Sequence, residues 1–315
     1  MSRCTVLRVA VFAGFFVLGW SATLHAKDLT VEKTERGVTI KVDGQVFSEY
    51  LIKSGAKPVV WPIIGPTGKR MTRSYPMEEL ANEEHDHPHQ RSLWCAHGNV
   101  DDIDFWSEVK GHGTTEHREF LKVEGGPAAI VETRNDWLGP DGSKHGEDVR
   151  RLTFRADENA RSIDFDITIK AVPRAISFGD TKEGMFGVRV PSSIRVESNQ
   201  GGKIVNSDGL VDKDAWGKTA DWVDYHGPVD GEKLGIAVMN HPSSFRYPTY
   251  WHVRTYGLFA ANPFGLHDFT GSAQAAYVLP ANQSFTLRYR VLLHKGDEKQ
   301  GKVAEAFSAY KAEKK

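Results

Sequence analysis

The stretch EEHDHPHQRSLWCAHG, residues 83–98, concentrates histidines around an arginine and several carboxylates. Four of the chain's 13 histidines lie in it: His85, His87, His89 and His97. Imidazole binds divalent metals, and it also transfers protons near neutral pH. Three interpretations compete: a divalent-metal site formed by the first three histidines, an acid–base site in which Arg91 contacts the substrate, and a polar rim without chemistry.

The alternation of side chains along this stretch indicates which of them could act together. On an extended chain the odd-numbered side chains share one face. Pro88 cannot donate a ladder hydrogen bond, so we expect a loop around it and a regular strand that begins near Arg91. The acid–base interpretation takes His89 or His97 as the acid.

The segment VDDIDFW, residues 100–106, places three carboxylates beside two aromatic rings. Asp104 has apolar neighbours in the sequence, so partial burial would shift its pKa. We interpret Asp104 and Trp106 as candidate substrate contacts. A loop that only packs its aromatic rings is the alternative.

The segment GDTKEGMFGVRV, residues 179–190, carries charged residues between glycines and runs into a strand pattern. Glycine allows a backbone to approach a ligand closely. Glu183 is the candidate general base, and Lys182 and Arg189 are candidate substrate contacts. A charged hairpin tip without chemistry is the alternative.

The segment PTYWHVRTYG, residues 248–257, alternates polar and apolar side chains. On a strand, Tyr250, His252 and Arg254 point to one side, which predicts the floor of a polar cleft rather than a core. His252 is a candidate catalytic residue. Tyr250, Arg254 and the nearby Asn262 are candidate substrate contacts.

The segment WGKTADWVDYHG, residues 216–227, interleaves aromatic rings with charged residues. Aromatic rings pack against the apolar faces of ligands while polar neighbours donate and accept hydrogen bonds. Sugars present both kinds of surface. The sequence therefore favours a carbohydrate or another small molecule as the ligand.

Strand patterns separated by turn residues fill most of the chain. We predict an all-β fold, a large antiparallel β-sandwich in one domain of residues 27–315, with a short C-terminal helix within residues 302–314. The Asp43-Gly44 pair is a strong hairpin signal. The predicted strand pairs are 37–42 with 45–47, 151–155 with 162–171, 187–190 with 194–196, and 276–279 with 284–293.

The N-terminus and the charge balance narrow the functional class. Arg3 and Arg8 precede an apolar run that ends near Ala26, which predicts a signal peptide of residues 1–26 and a secreted or periplasmic protein. No second long apolar segment follows, so we expect no transmembrane domain in the mature chain. The formal net charge is −1 without a basic stripe, which gives no support to nucleic acid as a partner.

Five motifs in order, DHPHQRSLW, DFW, GDTKEGMFGVRV, WVDY and PTYWHVRTYGLFAANPFG, resemble the secreted proteins labelled PmoA-like, or methane-oxygenase-like. The resemblance runs from about residue 32 to 293. It implies a fold similar to the galactose-mutarotase-like supersandwich, whose members bind sugars across a concave sheet and often use a histidine and a carboxylate. The membrane methane oxygenase subunit spans the bilayer several times, so methane oxidation is not expected here.

The motifs and the resemblance together predict a secreted carbohydrate-active protein that uses histidine and carboxylate acid–base chemistry. Epimerase, mutarotase, lyase and hydrolase activities all fit this description, because each needs one proton removed and another delivered. A non-catalytic carbohydrate-binding module and a histidine-cluster metalloprotein remain alternatives. A divalent metal is the one cofactor that the residues suggest.

Overall fold

The computed structural model describes Met1 and residues 27–315, so most of the predicted signal peptide lies outside the described residues. Strands predominate. In chain order they are β1 (Leu29–Thr34), β2 (Gly37–Val42), β3 (Gln45–Ser54), β4 (Lys57–Ile63), β5 (Leu93–His97), β6 (Thr114–Glu124), β7 (Ala129–Leu138), β8 (Lys144–Ala156), β9 (Ala160–Lys170), β10 (Ile176–Phe178), β11 (Gly184–Arg189), β12 (Lys203–Asn206), β13 (Trp222–Val229), β14 (Glu232–Asn240), β15 (Tyr250–Val253), β16 (Leu258–Asn262), β17 (Tyr277–Leu279) and β18 (Ser284–Lys295). The helices are α1 (Leu266–Thr270) and α2 (Val303–Lys311), with short 3-10 turns at Ser192–Ile194, Val196–Ser198 and Asp212–Ala215.

Two eight-stranded sheets form a sandwich. The first sheet has the order β1-β2-β3-β4-β5-β11-β16-β15, and the second has the order β12-β13-β14-β18-β9-β8-β7-β6. β10 and β17 form a separate two-stranded sheet. The paired strands are antiparallel throughout. The predicted all-β antiparallel sandwich is confirmed.

The main core lies between the two sheets. Phe186 of the first sheet packs against Phe165 and Tyr289 of the second, with ring centroids 5.1 Å and 4.7 Å away. Each fully buried side chain of this size stabilises the fold by roughly 1.5–3 kcal/mol. Apolar positions on the facing sides of both sheets therefore hold the sandwich together.

The outer face of the first sheet is also covered, and it carries the residues of interest. One row of paired residues crosses it: Val59, Trp94, Gly187, Ala260 and His252. Paired residues of neighbouring strands point to the same side of a sheet. A Cβ on Gly187 would lie 2.5 Å from the Trp94 ring, so glycine lets that ring lie across β11.

The C-terminal helix α2 covers the outer face of the second sheet, as the sequence predicted. Val303, Phe307 and Tyr310 are buried there, and they share a cluster with Trp222 and Met239. No helix within residues 27–315 is long and apolar enough to cross a membrane.

Two predicted strand pairs are wrong. Residues 194–196 lie in and between 3-10 turns instead of pairing with β11, because β11 already has β5 and β16 as neighbours. β17 pairs with β10 rather than with β18, since β18 lies between β14 and β9 and has no free edge. Alternation predicts a strand, but it does not reveal which edges remain open.

Candidate functional site

His252 on β15 faces the outer side of the first sheet. A hydrogen bond from the loop residue Trp216 determines which ring nitrogen of His252 carries the proton. Trp216 Nε1–H donates to His252 Nδ1 at 2.9 Å. An indole N–H can only donate, so Nδ1 accepts and the neutral ring carries its proton on Nε2. Burial and then the positive charges of Arg254 and Lys182 lower the pKa of His252 to about 3. His252 is therefore a neutral hydrogen-bond donor at physiological pH.

Arg254 follows β15 and supplies a positive charge beside His252. Its guanidinium lies 5.7 Å from the ring centroid of Tyr256. Within residues 27–315 no carboxylate lies within ion-pair distance of it, and its side chain makes no hydrogen bond. A half-buried guanidinium without an internal partner can donate hydrogen bonds to an anionic or hydroxyl group of a ligand.

Glu183 immediately precedes β11, on the same face of the sheet. Gly98 N–H donates to the Glu183 carbonyl at 2.6 Å, and a Cβ on Gly98 would lie 2.8 Å from the Glu183 Cβ. Lys182 Nζ lies 3.5 Å from Glu183 Oε1. Burial raises the pKa of Tyr256 most, and the negative charge of Glu183 adds to this. The carboxylate thus belongs to the surroundings of Tyr256 and Arg254.

Asp86 attaches the histidine-rich loop, residues 83–90, to this face of the sheet. Its Oδ1 accepts hydrogen bonds from Arg73 at 2.5 Å and from Arg189 at 2.7 Å. Burial alone would raise the pKa of Asp86, but the charge of Arg189 and the hydrogen bonds to the carboxylate lower it to about 2. His87 stacks on Tyr256 with ring centroids 5.2 Å apart.

His89 of the same loop is half-buried and close to His87, at 5.7 Å between ring centroids. Burial first, and then the positive charge of Lys57, lowers the pKa of His89 to about 4. The ring is therefore neutral at physiological pH and can accept a proton. His89 remains a candidate acid–base residue.

His97 lies in the core between the sheets, so the prediction that it shares a face with His89 is wrong. Ser92 has φ 52°, which interrupts the alternation, and β5 begins only at Leu93. The His97 ring packs beside Phe178 and Phe264, and it hydrogen-bonds the Gly179 carbonyl through Nε2 at 2.8 Å. It is fully buried and does not reach the outer face.

Several side chains that we predicted to contact the substrate instead bond to or pack against other residues of the protein. Arg91 donates to both oxygens of Glu108. Asp104 Oδ1 accepts from the backbone N–H of Trp106 at 2.7 Å, and the Trp106 ring is fully buried against Trp94. These side chains support the site rather than contact a ligand.

Arg189 and Asn262 are likewise fully buried. The Arg189 guanidinium lies 4.8 Å from the Tyr256 ring centroid and donates to Gln90 Oε1. Asn262 Nδ2 donates to the Thr181 carbonyl at 2.8 Å, which holds the loop that carries Glu183. Both residues position other groups of the site.

The three histidines of the predicted metal site do not converge. His85 stacks on Tyr75 at 4.4 Å, whereas His87 stacks on Tyr256. Within residues 27–315, the group of His and carboxylate side chains with metal-ligand spacing lies elsewhere, on the second sheet.

Aromatic side chains flank His252 on the side of α1. Tyr250 stacks on Phe269 at 5.6 Å, and Phe269 also contacts Trp216 at 5.6 Å. A cavity of about 230 Å³ opens next to this group, lined by Lys213, Trp216, Val253, Arg254 and Thr255. The sequence places Trp216 in an aromatic segment, but its contact with β15 is non-local and cannot be read from spacing.

Comparison with known proteins finds one matching family model and several solved structures of similar fold at low sequence identity. The DUF6807 model, described as a family of unknown function, matches residues 37–308. No curated protein matches the chain. A galactose mutarotase-like protein from Lactobacillus casei ATCC 334 is similar at 7% identity and a TM-score of 0.37, over 84% of this chain and 100% of that one.

Two further solved structures are similar at the same level. A beta-arabinopyranosidase matches at 14% identity and a TM-score of 0.32, over 86% of this chain and 39% of that one. A galactose mutarotase related enzyme from Lactobacillus acidophilus matches at 10% identity and a TM-score of 0.29, over 88% of this chain and 99% of that one. Because these TM-scores are below 0.5, the likeness does not assign a function to the chain.

Proposed function

We propose that this chain, which belongs to the family of unknown function DUF6807, binds an acidic sugar on the outer face of the first sheet. There it removes a proton from the carbon next to the sugar's carboxylate. The observation that carries this proposal is the neutral His252 beside the unpaired Arg254, with the carboxylate of Glu183 nearby.

Arg254 binds the carboxylate of the sugar. A guanidinium forms strong charge-assisted hydrogen bonds with a carboxylate, often through two parallel N–H groups. Because Arg254 has no ion-pair partner within residues 27–315, it can bind an anion without first breaking an internal pair. Lys182 adds a second positive charge on this face.

His252 stabilises the charge that develops when the proton leaves. Its Nε2–H, fixed by the hydrogen bond from Trp216 to Nδ1, donates to a carboxylate oxygen of the sugar. A neutral donor of this kind stabilises an enediolate without transferring its own proton. The low pKa of His252 keeps the ring in this form throughout the physiological range.

Glu183 acts as the base. It takes the proton from the carbon, and the electrons of the broken C–H bond pass into the enediolate. Elimination follows when the oxygen on the next carbon leaves with the bond electrons and receives the proton from Glu183. Return of a proton from water to the opposite face of the carbon gives epimerisation instead.

A sugar also fits the remaining surface. Trp216, Tyr250 and Phe269 are half-buried aromatic side chains beside His252, which suits the apolar face of a sugar ring. The adjoining cavity of about 230 Å³ is below the usual range for drug-sized ligands and matches one ring of a longer chain.

The test is hydrogen exchange at the reacting carbon. The protein is incubated with oligogalacturonate in D₂O, and loss of the carbon-bound proton is followed by NMR. We expect Glu183→Gln to lower the rate by roughly 10²–10⁴-fold, because it removes the base. Binding of the oligosaccharide, measured by calorimetry, should change only a few-fold.

Glu305→Gln is the matched control, since Glu305 is an exposed carboxylate on α2, and it should exchange at the wild-type rate. Arg254→Leu should weaken binding of the acidic sugar and leave a neutral galacto-oligosaccharide unaffected. An unchanged exchange rate in Glu183→Gln would refute the assignment of the base. Saturable binding without any exchange by the wild type would instead make the chain a non-catalytic binding module.

We also propose that the protein is exported, on the evidence of the basic and apolar N-terminal segment. Cleavage after Ala26 would give a mature chain that starts at Lys27. N-terminal sequencing of the protein from the extracellular or periplasmic fraction tests this. The resemblance to PmoA-like proteins stays a prediction.

A further inference from the structure

We propose that the chain binds a Zn²⁺ ion on the outer side of the second sheet, through Asp224, His226 and Glu298. This site is independent of the acidic-sugar site, which lies on the first sheet. Two strand residues and one loop residue form it. The ion would fix the loop before α2 to the sheet.

The ligand atoms already have the spacing of a metal site. Asp224 and His226 are two residues apart on β13, so their side chains share a face. His226 Nδ1 lies 2.6 Å from Asp224 Oδ1 and 3.7 Å from Glu298 Oε2. All three ligand atoms lie within 4.8 Å of one another. Ligands at about 2.0–2.2 Å from zinc in a tetrahedral site are about 3.3–3.6 Å apart, so small side-chain shifts complete the geometry.

The charge of the cluster favours a cation. The Asp224 carboxylate is fully buried and that of Glu298 is 16% exposed. Within residues 27–315 their ion-pair partners are histidines, and no Lys or Arg pairs with either carboxylate. Buried carboxylates are normally paired with a cation or coordinate a metal. Two carboxylates and an imidazole form a donor set that attracts a dication.

A second histidine orients the aspartate. His294 Nε2–H donates to Asp224 Oδ2 at 2.7 Å, which leaves Oδ1 to face His226. Two glycines leave room for the His294 ring between them, because a Cβ on Gly235 would lie 2.2 Å from the ring and a Cβ on Gly301 would lie 2.1 Å from it. Metal-binding carboxylates are commonly held in this way by a partner in the next layer.

Binding replaces a proton. In the hydrogen-bonded arrangement His226 Nδ1–H donates to Asp224 Oδ1. Zn²⁺ takes the lone pair that this proton occupies, and the neutral ring then carries its one proton on Nε2. Imidazole nitrogen and carboxylate oxygens are ligands that zinc accepts.

The test is a titration of the full chain with ZnCl₂ after treatment with EDTA and dialysis. Calorimetry should give one Zn²⁺ per chain, and the melting temperature should rise with zinc concentration, since the ion binds only the folded state. Glu298→Gln should lower the affinity at least tenfold. Glu298 is on the loop, and the circular dichroism spectrum checks that this variant folds.

Two controls separate this site from other zinc ligands. Glu305→Gln and the triple variant His85→Ala/His87→Ala/His89→Ala should both bind zinc as the wild type does. The proposal is overturned if the wild type binds no zinc. It is equally overturned if the triple variant loses the ion while Glu298→Gln keeps it, because the histidine-rich loop would then be the site.

Discussion

A histidine can take part in chemistry only where a ring nitrogen reaches a ligand, and His252 and His97 differ in this respect. His252 is buried beneath the outer face of the first sheet with its Nδ1 bonded to Trp216, and within residues 27–315 its Nε2–H has no hydrogen-bond partner. His97 is enclosed among core phenylalanines. The two rings have similar sequence contexts on strands, so residue type alone does not distinguish them.

The buried His97 makes folding stability depend on pH. Burial lowers its pKa to about 4, whereas the unfolded chain takes up this proton near pH 6.5. Its contribution is therefore complete above about pH 6.5 and is lost as the pH falls toward 4. We expect a loss on the order of 3 kcal/mol from this residue. Denaturant unfolding of the wild type and His97→Gln between pH 7.5 and 4.5 measures the difference.

His85→Gln is the control, because His85 is exposed and stacks on Tyr75 outside the core. It should follow the wild-type pH dependence, while His97→Gln should show a shallower slope. The same slope in His97→Gln and wild type would mean that the buried ring does not resist protonation.

At the scale of elements, the loop of residues 83–90 depends on one carboxylate. Asp86 accepts from Arg73 and Arg189, and both guanidiniums are fully buried. Asp86→Asn removes the negative charge between two buried cations, so we expect a loss of about 2–3 kcal/mol of stability. Limited proteolysis should also cut this loop sooner than in the wild type.

Asp102→Asn provides the comparison, since Asp102 is an exposed loop carboxylate without an ion pair within residues 27–315. Its stability and its cleavage rate should match the wild type. If Asp86→Asn behaves in the same way, the loop is held by its backbone contacts to Arg73 rather than by the charge of Asp86.

Local signals predicted several of the elements and two of the four strand pairs. The Asp43-Gly44 turn joins β2 and β3 as expected, and the spacing of Val303, Phe307 and Tyr310 identified α2. The pairings of β11 and β18 depend on strands that are distant in sequence. Open and occupied sheet edges are properties of the whole fold, so alternation could not supply them.

At the scale of the whole molecule, each sheet has an inner face in the shared core and an outer face with its own covering. The outer face of the first sheet carries Glu183, His252 and Arg254, and that of the second carries the Asp224 cluster under the loop before α2. The sequence predicted Glu183 from the charged residues between glycines, and it predicted His252 and Arg254 from the alternation along residues 248–257. It missed the roles of Trp216 and Glu298, since both come from loops distant in sequence.

The most direct test of the proposed function is a crystal soaked with an oligogalacturonate. We predict density for the sugar on the outer face of the first sheet, with its carboxylate on Arg254 and its reacting carbon facing Glu183. A sugar bound only elsewhere, such as in the cavity of about 740 Å³ that Arg70, Asn82 and Ser192 help to line, would contradict the proposal.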